Sequence, residues 1–256
     1  MGVELISTGG TAKAIHAAGI PVREVSEITE FPEMLDGRVK TIHPRIAGGM
    51  LARRSKPEHM DALAHHNIPT IDLVCVNLYD FASVAARADA PIEELIENID
   101  IGGPTMIRAA AKNYTDVAVV TSPSDYDAIL SEMRSRHNIL SPETRWLLAR
   151  KAFEMTAAYD RAITLRLAQV DAPTAAMPAA LSLHVPKAAD LRYGENPHQH
   201  AALYRRLGAG GVANGRQLHG KELSYNNLVD VDAAWQLISE FQGAPATAII
   251  KHTNPC

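Results

Sequence analysis

The chain has 256 residues, 46% of them hydrophobic and 21% charged, with a formal net charge of -4. That length can bury one large core or two small ones, and the composition is that of a folded globular chain rather than a disordered or membrane-spanning one. The acidic balance without a Lys/Arg run argues against a nucleic-acid face, and two cysteines, Cys75 and Cys256, are too few for a disulfide framework, which suits a reducing cytoplasm.

The sequence opens on an apolar strand at residues 3–7, without the basic flank and apolar core of a signal peptide. Ser7-Thr8-Gly9-Gly10 reads as a tight loop, followed by an Ala-rich helix over residues 11–18 that Gly19 stops. A second short strand is predicted at 21–25, a helix at 57–66 and a third strand at 73–76. Asp100 and Gly102-Gly103-Pro104 introduce a helix that runs through Lys112; a strand at 117–120, a helix at 125–136 and a long amphipathic helix or helix pair at 142–170 follow. Strands alternating with helices imply a parallel α/β sheet. Residues 171–186 carry three prolines and little periodicity, the composition of a linker, so the domains are placed at 1–170 and 187–256. Beyond the linker, residues 191–199 are polar and irregular, 231–241 look helical and 248–250 strand-like.

Several segments could carry chemistry. At Ser7-Thr8-Gly9-Gly10-Thr11 a strand hands over to a helix, so hydroxyls and unpaired N–H groups could cradle a phosphate; Thr11 could equally be an N-cap. Arg38, Lys40, Thr41 and His43 place two cations, a hydroxyl and an imidazole in one short loop, enough to hold a phosphate and polarise a carbonyl, or simply a solvated basic turn. Asn77 and Tyr79 follow the third strand at its carboxyl end, where open parallel sheets bind ligands, although a strand-end Tyr can also just pack. Asp100 could cap the next helix, Gly102 and Gly103 allow a ligand close to its N-terminus, and Lys112 suits the dipole at its far end. The pairs His65-His66 and His198-Gln199-His200 lack the Cys, Asp or Glu company of a zinc site, so no metal is expected. Pro255-Cys256 could begin the Pro-Cys-x-x-Cys element of a zinc deaminase, but no His-x-Glu occurs in the chain.

Taken in order, residues 6–13 (ISTGGTAK), 31–44 (FPEMLDGRVKTIHP), 100–103 (DIGG) and 108–113 (RAAAKN) resemble the bifunctional AICAR transformylase/IMP cyclohydrolase family. Residues 191–199 (LRYGENPHQ) and 251–256 (KHTNPC) are similar to the opening of that family's transformylase domain. The resemblance implies a methylglyoxal-synthase-like α/β domain that closes formyl-AICAR to IMP, then the start of a cytidine-deaminase-like α/β transformylase domain. By position, Ser7, Thr8, Gly9, Gly10 and Thr11 would hold the ribose phosphate with Arg38, Thr41 and His43 nearby, and Lys40, Tyr79, Asp100 and Lys112 would surround the closing ring, with Asn77 and Gly102 in the substrate site. Lys251 and His252 would serve formyl transfer, and Arg192, Tyr193 and Asn227 substrate binding.

The resemblance further implies a cytoplasmic homodimer acting on AICAR, formyl-AICAR and IMP, with 10-formyltetrahydrofolate as co-substrate of the transformylase and no cofactor for the cyclohydrolase. Family members carry an earlier strand and helix with a Ser-Asp-Lys-Thr-Gly-like loop, and a longer transformylase domain. On that comparison the sequence is expected to be truncated at both ends and to retain at most the cyclohydrolase. The alternatives are a methylglyoxal-synthase-like enzyme acting on a small phosphorylated sugar, and a regulatory module that binds a phosphorylated metabolite without turnover.

Overall fold

The computed structural model describes residues 2–170, 183–206, 210–241, 243 and 245–256. The chain divides into two compact units, Met1–Ala175 and Ala176–Cys256. Most of the linker expected at 171–186 lies outside the described residues; residues 183–186 are irregular.

In the first unit β1 (Ile6–Ser7) leads into α1 (Gly9–Ala17), and β2 (Arg23–Glu24) returns parallel to β1. Helix α1 starts two residues earlier than the sequence suggests, because Gly9 adopts a left-handed φ of 58° that turns the chain sharply out of β1. Thr8 is therefore the N-cap residue, and Thr11 lies inside the helix. There follow α2 (Val25–Thr29), α3 (Pro44–Leu51) and α4 (Pro57–His65). Pro44 begins α3, where its missing N–H costs nothing and its fixed φ is already helical. Gly49 is there for contact: a Cβ on it would stand 2.5 Å from the Pro69 carbonyl oxygen.

Strand β3 (Leu73–Cys75) leads to the short helices α5 (Phe81–Ala85) and α6 (Ile92–Glu97), then to α7 (Gly102–Lys112) and β4 (Ala118–Val120), which runs parallel to β3. The strands are parallel as expected, in two pairs. After a 3-10 turn at Pro123–Asp125 come α8 (Tyr126–Ser135) and α9 (Pro142–Val170), one continuous helix rather than a pair. Every residue of β4 is buried, since helices cover it: α9 packs on both β4 and α7. Val74, Ile107, Val119 and Ala152 are among the residues at the centre of this core, and Ala118, Val120, Ile129 and Leu148 form a second cluster beneath α8.

The turn into α9 hangs on Glu132 of α8. Its carboxylate accepts the Ser141 N–H at 2.7 Å and the Thr144 hydroxyl at 2.6 Å, and these bonds, the Thr144 hydroxyl first, hold the carboxyl below its ordinary value of 4.5. Because the folded state binds the proton more weakly, this contribution is complete above the ordinary Glu range and is lost as pH falls through the lowered folded value. Replacing Glu132 with Ala is expected to cost about 2 kcal/mol, and the gap between variant and parent in urea melts should narrow in acid.

In the second unit β5 (Lys187–Leu191) and β6 (Ala201–Tyr204) form an antiparallel pair, α10 (Tyr225–Ser239) follows, and β7 (Ile250–Lys251) with β8 (Asn254–Pro255) forms a hairpin. The strand expected at 248–250 is thus displaced, with only Ile250 in β7, and α10 begins six residues before the predicted 231. The early start comes from a capping box, in which the Ser224 hydroxyl accepts the Asn227 N–H while the Asn227 side chain accepts the Ser224 N–H.

Candidate active site

Residues 34–39 fold into a tight hairpin in which Met34 and Val39 exchange backbone hydrogen bonds and Leu35, Asp36 and Gly37 all have positive φ. The hairpin delivers Lys40 and Thr41 to two helix starts. A Cβ on Gly9 would lie 3.7 Å from Lys40 Nζ, and one on Gly102 would lie 2.7 Å from Thr41 Oγ1. Lys40 therefore stands at the N-terminus of α1 and Thr41 at that of α7, where unpaired N–H groups and the helix dipoles favour an anion.

A cleft of about 490 Å³ opens at the first of these points, lined among others by Thr8, Gly9, Lys13, Ser26, Glu33 and Lys40. Thr8 makes no capping bond; its hydroxyl donates to the Glu33 carboxylate at 3.4 Å, so the first turn of α1 keeps its N–H groups open. Ser7 is half-buried at the end of β1, while Gly10 and Thr11 are exposed on that first turn. Lys13 and Ser26 were not singled out from the sequence. Lys13 follows the loop by one helical turn, a spacing that could have marked it; Ser26 had no signal.

At the second point Asp100 Oδ1 accepts the Gly103 N–H at 2.8 Å, so the carboxylate does cap α7. Its other oxygen faces the open side of Gly103, where a Cβ would sit 2.5 Å from Oδ2 and 2.7 Å from Leu78 Cδ2. Exchanging Gly103 for Ala must therefore push the carboxylate aside. That variant is expected to fold and, in steady-state kinetics, to lose roughly 10²-fold in any turnover that depends on this carboxylate. The Asp100 N–H donates to the Tyr159 hydroxyl at 2.8 Å. Tyr79 is half exposed and stands near Tyr159, whose phenol is raised above its ordinary value, chiefly by burial. Tyr159 belongs to α9 and was missed, because its spacing from the buried Ala152 and Thr156 reads as ordinary helix packing.

Other expected site residues are engaged elsewhere. Arg38 pairs with Glu97 at the end of α6, with both side chains largely exposed. His43 caps α3, its Nδ1 accepting the Arg45 N–H at 3.2 Å, and its ring stacks on Phe31. Asn77 is exposed but engaged by its neighbours: Tyr126 donates to its Oδ1 at 3.2 Å, and its Nδ2 reaches the Thr121 carbonyl at 3.5 Å. The Tyr126 phenol, bonded to the Cys75 thiol and partly buried, is pushed up to about 12. Lys112 closes α7, roughly 15 Å from the helix start that Asp100 caps, so the structure does not bring it to Asp100; as the dipole argument allowed, it sits at the helix C-terminus.

The sequence matches the family described as "AICARFT/IMPCHase bienzyme" over residues 110–256 and the "MGS-like domain" over residues 1–105. The chain belongs to the AICARFT/IMPCHase bienzyme family. It is an enzyme of the purine-biosynthesis type, with an α/β fold in which an MGS-like domain precedes the bienzyme match. A solved structure titled "Crystal structure of ForH" is 32% identical, with a TM-score of 0.62, over 67% of this chain and 88% of that one.

In the second unit of this bienzyme relative, Arg192 lies over the Tyr193 ring at 4.9 Å and donates to its hydroxyl at 3.2 Å. The Ser224 hydroxyl, then Arg192, hold that phenol below its ordinary value. Asn227, expected to bind substrate, has its side chain in the capping box of α10. Lys251 ends β7, and His252 with Thr253 forms the turn into β8, both at positive φ as a type I′ hairpin requires. A β-branched Thr is costly there, and the turn is anchored by the Thr253 N–H donating to Asp230 Oδ1 at 2.9 Å. Among the described residues no group of three or more His, Cys, Asp or Glu could hold a metal, and no helix is long and apolar enough to cross a membrane.

Proposed function

We propose that the MGS-like part of the chain closes formyl-AICAR to IMP. What supports this reading is the hairpin at 34–39, which places Lys40 beside the N-terminus of α1 and Thr41 against the N-terminus of α7, next to Asp100. The phosphate would lie at the start of α1 with Thr8, Gly9 and Lys13 around it, and the base would reach past Lys40 toward α7. The carboxamide nitrogen attacks the formyl carbon while Asp100 takes the proton from that nitrogen. Lys40 stabilises the oxyanion that develops on the formyl oxygen; Asp100 returns its proton to that oxygen, which departs as water with a second N–H proton and leaves the closed ring. Tyr79 orients the amide.

In the same reading Lys251 and His252 belong to formyl transfer from 10-formyltetrahydrofolate to AICAR, with Arg192 and Tyr193 on the substrate, no metal and no resident cofactor. The active species is a homodimer in the cytoplasm. The test is to mix the purified chain with formyl-AICAR and follow IMP by ultraviolet absorbance. Catalysed formation of IMP is expected; binding of the nucleotide without turnover would replace this reading with that of a regulatory binding module.

A further inference from the structure

The link from α6 to α7, residues 98–101, carries Asp100 between two helix ends, and one side-chain oxygen closes it. The Tyr159 hydroxyl accepts the Asp100 N–H at 2.8 Å and donates to the Asn98 carbonyl at 3.2 Å. The Asn98 side chain is turned away, back to the Glu94 carbonyl at 2.9 Å. Asp100 is therefore fixed twice: its backbone by Tyr159, and its carboxylate by the Gly103 N–H. Tyr159 is itself held from behind. It follows Ala152 and Thr156 on the inward face of α9, both essentially inaccessible, and the Phe81 ring meets it edge-on with centroids 6.2 Å apart. Burial raises the phenol above its ordinary value of 10.0, so it remains a donor to Asn98 throughout the neutral range.

We propose that Tyr159 is a positioning residue that sets the Asp100 carboxylate for proton transfer by cross-linking the backbone on either side of Ile99. The proposal rests on the cyclohydrolase reading above. A carboxylate serves as general base only within hydrogen-bond reach of the proton it takes, and a shift near 1 Å is enough to lose much of its effect. Tyr159 touches neither the reacting atoms nor the phosphate cleft; its influence passes through residue 100.

The experiment is a double-mutant cycle in the IMP-forming assay with Tyr159→Phe, Asp100→Asn and the pair. Tyr159→Phe keeps the ring and its contact with Phe81 while removing the hydroxyl. It is expected to lower kcat roughly tenfold with KM changed less than about twofold, and to have no further effect once Asp100 is Asn. A purely structural role would slow both backgrounds equally, which would overturn the proposal, as would full activity in Tyr159→Phe. Full activity in Asp100→Asn alone would instead overturn the cyclohydrolase role of Asp100 on which the proposal rests. Amide hydrogen exchange of the unmodified chain supplies an arm that does not depend on the variant folding: the Asp100 N–H should be protected, and rapid exchange there would count against the cross-link.

Discussion

Substituting Asn for Asp100 should lower the turnover of formyl-AICAR by about 10²- to 10³-fold while leaving KM within about threefold, the pattern of a lost general base rather than of lost binding. The substitution suits this position because the existing role of Asp100 as a cap survives it. An Asn oxygen can accept the Gly103 N–H as the Asp oxygen does at 2.8 Å, and Asn and Asp are about equally good at helix starts. The melting temperature should therefore move little, which separates chemistry from folding. If Asp100 only capped α7, Asp100→Asn would be fully active and Asp100→Ala would show just the cost of a lost cap, about 1 kcal/mol. Steady-state kinetics beside thermal melts of the two variants distinguish these results.

Truncating Phe81 to Ala is expected to be the most damaging change to stability in this region, costing about 4 kcal/mol. The ring is 1% exposed, opens α5 against α9, and meets Tyr159 edge-on. Its loss leaves a cavity that the neighbouring helices can close only in part, and the melting temperature should fall by roughly 10 °C. Since Tyr79 lies two residues away and Tyr159 loses its ring partner, the folded fraction should also turn over more slowly. Calorimetry with kinetics well below the transition would show both effects; a variant as stable as its parent would mean that α5 does not hold the site.

Much of the first unit was legible because long periodic segments carry their own signal. The apolar run around Val74, the Ala-rich stretch ending at Lys112 and the 29-residue α9 all stand where their patterns place them. Short elements were not, because their stability is tertiary. Helices α2, α5 and α6 span five, five and six residues, too few to show a period, and depend on caps and on packing. Helix α3 was not predicted; it carries Gly48 and Gly49, which are weak helix formers, and Gly49 stands where the chain near Pro69 passes close. Strand β5, Lys187–Leu191, is mostly exposed and lacks β-branched residues, so only its pairing with β6 defines it.

At the candidate site the sequence located the segments but not the direction of their side chains. Thr41 and Asp100 meet at the start of α7 and Lys40 stands at the start of α1, yet Arg38 turns to Glu97, Asn77 to Tyr126 and Asn227 to its own helix cap. Each of those polar groups had a competing partner far away in sequence or a capping position that one-dimensional spacing does not reveal. Tyr159, 59 residues from Asp100, could be found only once α9 was folded back over the α6–α7 link.

The left-handed run Leu35, Asp36 and Gly37 has a consequence for how a ligand is received. A leucine held at a φ of 54° is an unfavourable conformer, of order 1 kcal/mol above its relaxed alternatives, and the rest of the fold must impose it. The hairpin is thus shaped before any nucleotide arrives, and Lys40 and Thr41 need little ordering when one does. Relaxing the loop with Leu35→Gly would remove that tension yet widen the range of poses open to Lys40, trading a sturdier protein for a blunter grip.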